Sequence, residues 1–491
     1  MNKCFAFAAP ALAALILTAC HGSGGPGSSP ILPAANSHAS RFAMHRLAKG
    51  IDKIDHIVIV VQENRSFNNL FMGFPGAKTA TSGYDSKNQK IVLQPMPLSL
   101  PWDIQHNSQG YLLSCNGTGK IPGTHCRMNG FNKEYWGCDK AGAPKCPIKY
   151  PPYSYVPRKQ IEPYWSMAQQ YVLADEMYPS NFDDSSYVSH EYIIAGQAAA
   201  ATNYPLLGNW GCPGGPSDKV PRVGKNPPRG TPSPKPMVVC FDYNTLGNEL
   251  DDKGLPWSFY AGPLGVKGPG GKECGSGPQG KKNGSGSGSY KETGIWSTYQ
   301  SIRNICYGPD WDNDVFSGPP RFLQDIGKGT LRDVTWITPY CRDSDHPKCS
   351  PDGGPSWVAS VVNAIGESKF WNSTAIFIFW DDSGGFFDAE PPQYVDYDGL
   401  GIRVPLIVIS PYAKKGYVSH EHYEHGSILK FIEARFGLAA LTSNGSDVRA
   451  KSLNSCFNFS QPPRKFVPIK SKLGIDYFLN EPVDYRPADT N

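Results

Sequence analysis

The chain has 491 residues, of which 40% are hydrophobic and 12% aromatic, enough for a large core and not the composition of a globally disordered protein. Its formal net charge is only +4, and its basic residues are scattered along the sequence, so nothing points to a nucleic-acid-binding protein. The 52 glycines and 45 prolines indicate long irregular loops between the regular elements.

The N-terminal residues have the pattern of an export signal. Lys3 precedes a nearly unbroken apolar run, Phe5 to Leu17, that is too short to span a bilayer well. The run closes on Leu17-Thr18-Ala19-Cys20, which resembles a bacterial lipobox, where the cysteine is lipidated and becomes the mature N-terminus. An ordinary signal peptide followed by a chance cysteine is the alternative. We therefore predict a lipoprotein signal peptide over residues 1–19 and lipidation at Cys20.

Residues 20–50 are predicted to be a tether between the lipid and the folded body. The stretch from His21 to Pro33 is rich in Gly, Ser and Pro, which is the composition of a flexible linker. No later segment is apolar enough to cross a membrane, so the catalytic body is expected to be soluble and held near a surface. The chain is thus predicted to be exported and anchored by lipid in a bacterial cell envelope, on the outer membrane or its periplasmic face.

From about Ile51 the sequence alternates between buried strands and amphipathic helices. Short runs rich in β-branched residues predict strands buried on both faces, at His56–Val61, Asp333–Thr338, Ala375–Phe379 and Pro405–Ser410. Apolar residues at helical spacing predict helices at Trp357–Ile365 and Ser427–Phe436. This alternation predicts one catalytic domain over residues 51–491, an α/β/α sandwich with a mainly parallel central sheet.

Two glycine- and proline-rich stretches, near residues 212–236 and 262–294, are predicted to be surface insertions, because sheet elements continue after both. The second stretch either contacts a substrate or is a mobile loop.

Cysteine usage agrees with an oxidising compartment. Apart from Cys4 in the signal and the lipidated Cys20, eleven cysteines remain, so one of them must lack a partner within the chain. The short spacings of Cys138 to Cys146 and of Cys341 to Cys349 predict disulfide-closed loops.

Polar side chains follow three of the predicted strands. Glu63 and Asn64 come directly after the first, Asp381 and Asp382 after the third, and Asp345-His346-Pro347 lies beyond the second. In open α/β sheets ligands sit beyond the carboxyl ends of the strands, and adjacent buried acids are costly unless a cation compensates them. Carboxylate and amide oxygens suit a divalent cation, so this edge is predicted to be a metal-assisted site.

A hydroxyl nucleophile is available at the start of a predicted helix. Ser185 and Ser186 precede a helix-like run from Ile193 to Ala201, where free N–H groups and the helix dipole would stabilise an alkoxide. The alternative is that these serines merely cap the helix.

Several of these motifs, taken in order, resemble the bacterial phosphoesterase family. They are Gln62-Glu63-Asn64-Arg65-Ser66-Phe67, Asp345-His346-Pro347, Asp381-Asp382-Ser383-Gly384-Gly385-Phe386-Phe387-Asp388, Arg403 to Tyr412, and Ser427 to Glu433. The family holds phosphatidylcholine-hydrolysing phospholipases C and acid phosphatases on an alkaline-phosphatase-like fold. The resemblance runs from about Asp55 to Pro468.

The resemblance implies roles for individual residues. A divalent cation, whose identity it leaves open, would be held by Glu63, Asn64, Asp381, Asp382 and Ser186. Ser186 would be the nucleophile. His106 and His346 would stabilise phosphoryl oxygens or protonate the leaving group.

Three positions depart from the family pattern, with Asn304 and Ala389 replacing histidines and Ser383 replacing a bulkier or basic residue. The implied activity is phospholipase C-type hydrolysis of a phosphodiester such as a phospholipid. The alternatives are an acid phosphatase acting on monoesters and a weakened surface protein that keeps the fold.

The remaining polar residues of interest are expected to have structural roles. His420, His422 and His425 cluster before the last helix without a predicted role, although His425 lies where relatives carry a histidine near the site. His190 is expected to pack beside the nucleophile helix. Arg65 is expected to anchor its loop through hydrogen bonds, with a phosphate contact as the alternative.

Overall fold

A computed structural model describes residues 49–486, apart from 140–142, 207–209, 224–234, 263, 265–273, 275–296, 350–352 and 485. The predicted signal peptide, the lipidation site at Cys20 and nearly all of the predicted tether lie outside the described residues. So do most of the predicted insertion at 262–294 and the middle of the one at 212–236.

Strands recur along the described chain in the alternating pattern that the sequence predicts. They are β1 (His56–Gln62), β2 (Ser82–Tyr84), β3 (Lys90–Val92), β4 (Gln94–Pro95), β5 (Ser154–Tyr155), β6 (Val172–Tyr178), β7 (Lys219–Val220), β8 (Met237–Val238), β9 (Trp257–Ala261), β10 (Val315–Ser317), β11 (Val334–Ile337), β12 (Thr374–Trp380), β13 (Val404–Ile409), β14 (Tyr417–Ser419) and β15 (Tyr423–Glu424).

The helices vary from one turn to more than three. They are α1 (Phe67–Phe71), α2 (Ser108–Cys115), α3 (Glu162–Gln170), α4 (Ser186–Ala195), α5 (Leu246–Asp252), α6 (Arg303–Cys306), α7 (Asp310–Asn313), α8 (Pro320–Gly327), α9 (Gly354–Gly366), α10 (His425–Phe436), α11 (Ser446–Arg449) and α12 (Ile475–Asn480).

Nine strands form the central sheet, in the order β10-β9-β11-β1-β12-β13-β6-β14, with β15 pairing with β6. All neighbours are parallel except at β13, which runs antiparallel to both β12 and β6. The mainly parallel sheet is confirmed. Because β1 and β12 are adjacent and parallel, the two acidic motifs that follow them emerge side by side at one edge.

Helices cover the sheet on both faces, as alternate side chains of β12 show. Phe377 packs on Phe431 of α10, whereas Trp380 packs on Tyr164 of α3. Residues of opposite parity on a strand point to opposite faces of the sheet, so α10 and α3 lie in different layers. The predicted three-layer α/β/α arrangement is therefore confirmed.

The helix that carries the serines begins earlier and ends earlier than the sequence predicts. The prediction of a helix over Ile193–Ala201 is wrong beyond Ala195, because Gly196 adopts a left-handed conformation with φ 64° and ends α4. Ala199 and Ala200 also have positive φ and do not continue the helix. The helix begins at Ser186 itself.

Five disulfides join described cysteines, including the two predicted short loops, Cys138–Cys146 and Cys341–Cys349. The others are Cys115–Cys126, Cys212–Cys240 and Cys274–Cys306. Among the described cysteines, only Cys456, which is buried, forms no disulfide. Separately, a search of the described residues finds no helix that is both long and apolar enough to cross a membrane.

Two carboxyl groups meet where α10 packs on α11. Burial, and then the neighbouring charge of Asp447, raise the pKa of Glu433 to about 9, although Lys430 acts in the opposite direction. The folded protein therefore keeps a proton on Glu433 at pH values at which the unfolded chain has released it.

A folded-state carboxyl pKa above the unfolded value makes stability fall as the pH rises. We expect the contribution of Glu433 to the free energy of unfolding to decrease between pH 4.5 and about pH 9, its ordinary and raised pKa values. Glu433→Gln should remove this decrease, as measured by urea unfolding at several pH values across the range. Identical pH dependence in the two proteins would contradict the assignment.

Candidate active site

The Glu63-Asn64 motif after β1 and the Asp381-Asp382 motif after β12 meet at the carboxyl edge of the sheet. The backbone N–H of Asn64 donates to Asp381 Oδ1 at 3.0 Å, and Asn64 Nδ2 donates to Asp382 Oδ1 at 3.0 Å. Glu63, Asn64, Asp381 and Asp382 are all fully buried. The sequence placed these four residues together correctly, because each pair directly follows one of two adjacent parallel strands.

The N-terminus of α4 brings Ser186 into this cluster. Ser186 Oγ donates to Asp382 Oδ2 at 2.8 Å and accepts from Asn64 Nδ2 at 3.2 Å. The hydroxyl of Ser185 is held elsewhere, because it donates to Asp183 Oδ1 at 2.5 Å. Ser185 is the N-cap residue, yet its side chain makes no capping hydrogen bond. The geometry therefore distinguishes the two hydroxyls, of which only the family resemblance, and not the residue pattern, had singled out Ser186.

His190 was expected to pack beside the nucleophile helix, but it lies on α4 itself, one turn after Ser186, and joins the cluster. Its Nε2 is 3.2 Å from Glu63 Oε1 and 3.8 Å from Asp381 Oδ2. One ligand atom from each of these three buried residues lies within 4.8 Å of the others, a spacing suited to a metal ion. Ser186 and His190 are four residues apart, which places them on the same face of a helix, and this spacing was the sequence signal that could have placed His190 at the site.

The donor set fits a divalent cation. It combines carboxylate oxygens, an amide oxygen and an imidazole nitrogen, which are ligands that such ions accept. Asn64 Oδ1 and Asp381 Oδ2 are buried and have no hydrogen-bond partner among the described residues. Buried polar atoms are normally paired, so these two oxygens favour an additional positively charged partner. The chemistry of the donors does not identify the metal.

A second group of titratable side chains contains His106, His346 and Asp103. The two rings are 5.7 Å apart, and each has a nitrogen 3.8 Å from an Asp103 oxygen. Nδ1 of His106 faces the carbonyl oxygen of Ile104 at 2.7 Å, and Nδ1 of His346 faces that of Pro347. A neutral ring carries one proton, so donation from Nδ1 leaves Nε2 with a lone pair. Both predicted histidines therefore lie together, and Asp103, which the sequence did not single out, accompanies them.

Asp184 lies between the two groups. Burial raises its pKa to about 6, while His106 acts to lower the pKa and Asp381 to raise it. Its carboxylate accepts from the hydroxyl and the backbone N–H of Ser383, at 2.5 and 3.1 Å. Ser383, one of the departures from the family pattern, thus positions an acid of the site rather than facing solvent. The left-handed backbone of Asp184, with φ 54°, is characteristic of functional positions.

Two glycines let the loop after β12 approach its neighbours. Gly384 has φ 60°, and a Cβ atom there would lie 2.3 Å from the carbonyl oxygen of Asn64. A Cβ atom on Gly385 would lie 2.5 Å from Ile104, beside the segment that carries His106. The paired glycines therefore allow one loop to contact both groups of site residues.

Arg65 anchors the site loops, as the sequence predicts. It is fully buried and donates to the carbonyl oxygens of Asp345 and Leu98. Its guanidinium also lies over the ring of Phe386, 4.4 Å from the centroid. These contacts connect the loops that follow β1, β11 and β12.

Asn304 and the three histidines near the start of α10 have surroundings that differ from those of the site residues. Asn304 is exposed on α6, in contrast to the buried site residues, and no described hydrogen bond connects it to them. His420 and His422 contact Asp175 and Glu176 of β6. His425 is buried at the start of α10, and burial lowers its pKa to about 3, so its ring is neutral near pH 7.

Glu134 is a buried acid that the sequence did not indicate. Burial, with a contribution from the charge of Asp184, raises its pKa well above the ordinary value. It belongs to a segment that pairs with the one before His106, since Ile104 and Trp136 form an antiparallel bridge. Glu134 thus adds a proton-bearing carboxyl group near the histidines.

The profile of the Phosphoesterase family matches residues 54–439. Non-hemolytic phospholipase C of Burkholderia pseudomallei is 25% identical over 96% of this chain and 67% of its own length. Hemolytic phospholipase C of Pseudomonas aeruginosa is 25% identical, with 79% of this chain and 53% of the relative covered. Phospholipase C A of Mycobacterium tuberculosis is 23% identical, over 84% and 79% respectively. The chain thus spans about two thirds of the first relative and about half of the second.

Two solved structures show a more distant likeness. A protein in the alkaline phosphatase superfamily from Vibrio parahaemolyticus has a TM-score of 0.35 and 8% identity, covering 81% of this chain and 70% of that one. A phosphonate monoester hydrolase from Silicibacter pomeroyi has a TM-score of 0.26 and 13% identity, covering 62% and 73%.

Gly384→Ala should destabilise the protein by at least about 2 kcal/mol, since a left-handed alanine is strained and its Cβ would clash with the backbone. Gly437→Ala is the matched control, because Gly437 also has positive φ but no atom lies within 4 Å of the added Cβ. It should cost about 1 kcal/mol. Denaturant unfolding of both variants measures the difference, and equal losses would show that close packing against Asn64 is unimportant.

Removal of bound divalent metal should lower both the melting temperature and the activity, because Glu63, Asp381 and Asp382 are buried together at one edge of the sheet. Elemental analysis of the purified protein, followed by calorimetry and assays with chelator and with metal restored, measures this. A protein that contains no metal and is unaffected by prolonged chelation would contradict the predicted metal site.

Proposed function

Since the chain belongs to the phosphoesterase family and is therefore a hydrolase of phosphoric ester bonds, we propose that it cleaves phosphodiesters as a phospholipase C. The substrate class follows the phospholipase C relatives, and the nucleophile is Ser186. The observation that carries the proposal is the position of the Ser186 hydroxyl. It lies at the N-terminus of α4 between the Asn64 amide and the Asp382 carboxylate.

In this proposal Ser186 Oγ attacks phosphorus and Asp382 accepts its proton. The hydrogen bond from Oγ to Asp382 Oδ2 is already 2.8 Å long, within the range of direct proton transfer. Asp382 Oδ1 accepts from Asn64 and from the N–H of Gly384, which fixes the orientation of the carboxylate. This step forms the bond from Oγ to phosphorus and breaks the bond to the leaving alcohol, so the intermediate is a seryl phosphodiester that keeps the second ester group. Water then hydrolyses it to a phosphomonoester and restores the serine hydroxyl.

A divalent cation bound by Glu63, Asn64 and Asp381, with His190 and the predicted ligands Asp382 and Ser186 adjoining, would lower the pKa of the hydroxyl and neutralise phosphoryl charge. The first N–H groups of α4 would add donors and the positive end of the helix dipole at the same place. His190 extends the ligand set that the family resemblance implies.

His106 and His346 are proposed to act on the phosphoryl oxygens and the leaving group. Both rings are buried, and both have Nδ1 directed at a backbone carbonyl, which fixes their orientation. When protonated, Nε2 would donate to a phosphoryl oxygen or supply a proton to the leaving alkoxide.

The location of the enzyme forms part of the proposal. Lipidation at Cys20 would hold the catalytic domain at the cell envelope through the predicted tether. The phospholipase C relatives and the disulfides of the described chain support export.

Ser186→Ala should reduce kcat by at least about 10³-fold, because a nucleophile and its proton acceptor act as a unit. Its cost in stability should be about 1 kcal/mol, the loss of one buried hydrogen bond. Ser185→Ala is the matched control, since its hydroxyl donates to Asp183 outside the metal cluster. Assays on a choline phosphodiester and on an aryl phosphomonoester measure both variants.

Ser185→Ala should keep activity within about tenfold of the wild type. A Ser185→Ala protein that loses activity while Ser186→Ala retains it would identify the other serine as the nucleophile. Turnover of the monoester alone by the wild type would replace the phospholipase assignment with that of a phosphatase.

A further inference from the structure

One segment of the chain has a clear excess of basic over acidic residues. Residues 84–149 contain eight Lys or Arg and four Asp or Glu, so this segment alone carries a net charge of +4, the value of the whole chain. Seven of the eight basic side chains are exposed in the described structure, whereas Asp85, Asp103 and Glu134 are buried. The buried acids leave positive charge on the surface of the segment.

Hydrogen bonds bring distant parts of this segment onto one surface. The turn between β2 and β3 docks on a later loop, because the N–H of Ser86 donates to Asn132 Oδ1 at 2.9 Å and Asn129 Nδ2 donates to Asn88 Oδ1 at 3.0 Å. Lys87 lies in this turn between the two contacts. The turn therefore carries its cation to the loop that precedes Glu134.

Two further cations converge on a single residue of the same loop region. Arg127 Nε donates to the carbonyl oxygen of Asn116 at 2.9 Å, and Lys133 Nζ donates to Asn116 Oδ1 at 3.0 Å. Both donors are exposed, and their partner is a neutral amide, so their charges are not cancelled by these contacts. Like charges held close together on a surface favour an anionic partner.

Exposed aromatic side chains lie among these cations. Tyr84 is 54% exposed and pairs with Lys90 across the hairpin, and Tyr135 is 47% exposed two residues after Lys133. Tyrosine is enriched at membrane interfaces, where its ring meets the acyl boundary and its hydroxyl meets water. Clustered basic residues with interspersed aromatic rings fit the headgroup region of an anionic bilayer.

We propose that this basic face docks on the surface of an anionic phospholipid bilayer; it comprises Tyr84, Lys87, Lys90, Arg127, Lys133 and Tyr135. The inference rests on the proposed function, for which a bilayer is the source of substrate. The face adjoins the wall of the site through Tyr135, whose N–H donates to Gln105 Oε1 and whose carbonyl oxygen accepts from the N–H of Gln105, the residue before His106. Docking would thus place a wall of the site against the lipid.

The experiment compares binding of the full chain to vesicles of phosphatidylcholine alone and of phosphatidylcholine with phosphatidylglycerol. We expect tighter binding to the anionic vesicles, weakened by salt. Lys87→Glu with Lys90→Glu should reduce that binding by at least about tenfold. Neither lysine side chain makes a hydrogen bond or ion pair within the described residues, so the fold should be retained. Any contribution of the N-terminal segment enters all of these samples equally.

Lys470→Glu with Lys472→Glu is the matched control, since both residues are exposed and the change in net charge is the same. It should leave vesicle binding within about twofold of the wild type. Equal weakening by both double variants, or equal wild-type binding to both kinds of vesicle, would overturn the proposal. The double variant Tyr84→Ser with Tyr135→Ser distinguishes a bilayer from a soluble polyanion as the partner. If the partner is a bilayer, this variant should lose binding to anionic vesicles. Unchanged vesicle binding by the variant, together with heparin binding equal to that of the wild type, would overturn the bilayer assignment.

Hydrolysis of a soluble aryl phosphate ester separates this inference from the proposed function. The Lys87→Glu, Lys90→Glu protein should retain wild-type turnover of the soluble ester and lose at least about tenfold on anionic vesicles. If the proposed function is wrong, the wild-type protein should not turn over the ester, whether or not it binds the vesicles. Equal losses on the soluble ester and on the vesicles would place the effect in the site and overturn docking.

Discussion

Burial of negative charge at one edge of the sheet is the constraint around which the molecule is arranged. Glu63, Asp381, Asp382 and Asp184 are all buried there. Such a concentration of carboxylates would be strongly unfavourable without compensation. The compensation comes from backbone and amide donors such as those of Asn64, from the N-terminus of α4, and from a cation that the donor set fits.

The surrounding scaffold holds these groups with further buried interactions. Arg403 directly precedes the antiparallel strand β13, so it lies at the same sheet edge as the carboxyl ends of β12 and β6. It forms a fully buried ion pair with Asp388, at 3.0 Å, and also donates to the carbonyl oxygen of Asp175. Arg65 connects the loops after β1 and β11 in a comparable way. Each arginine thus stabilises a loop that carries site residues, at a distance from the reacting atoms.

The segment that supplies His106 differs from the rest of the chain in its packing and its charge. It has hydrophobic clusters of its own, around Phe131 and Trp102, separate from the main core. Disulfides Cys115–Cys126 and Cys138–Cys146 constrain it further. Its inner side therefore contributes to the buried wall of the candidate site, while its outer side carries exposed cations and tyrosines.

The sequence by itself determined the sheet, the polar motifs at its strand ends and the two short disulfide loops, because each is encoded locally. A buried strand is recognised from its run of apolar residues, and Glu63-Asn64 and Asp381-Asp382 directly follow such runs. Tertiary structure alone decided the rest. The residue pattern did not separate Ser186 from Ser185, and only the family resemblance named Ser186, whereas the fold gives Ser186 a hydrogen bond to Asp382, 196 residues away. His190, which was expected only to pack beside the helix, joined the acids through contacts with Glu63 and Asp381. The physical reason is that local patterns fix which elements form, whereas the surroundings of a side chain depend on which elements pack together.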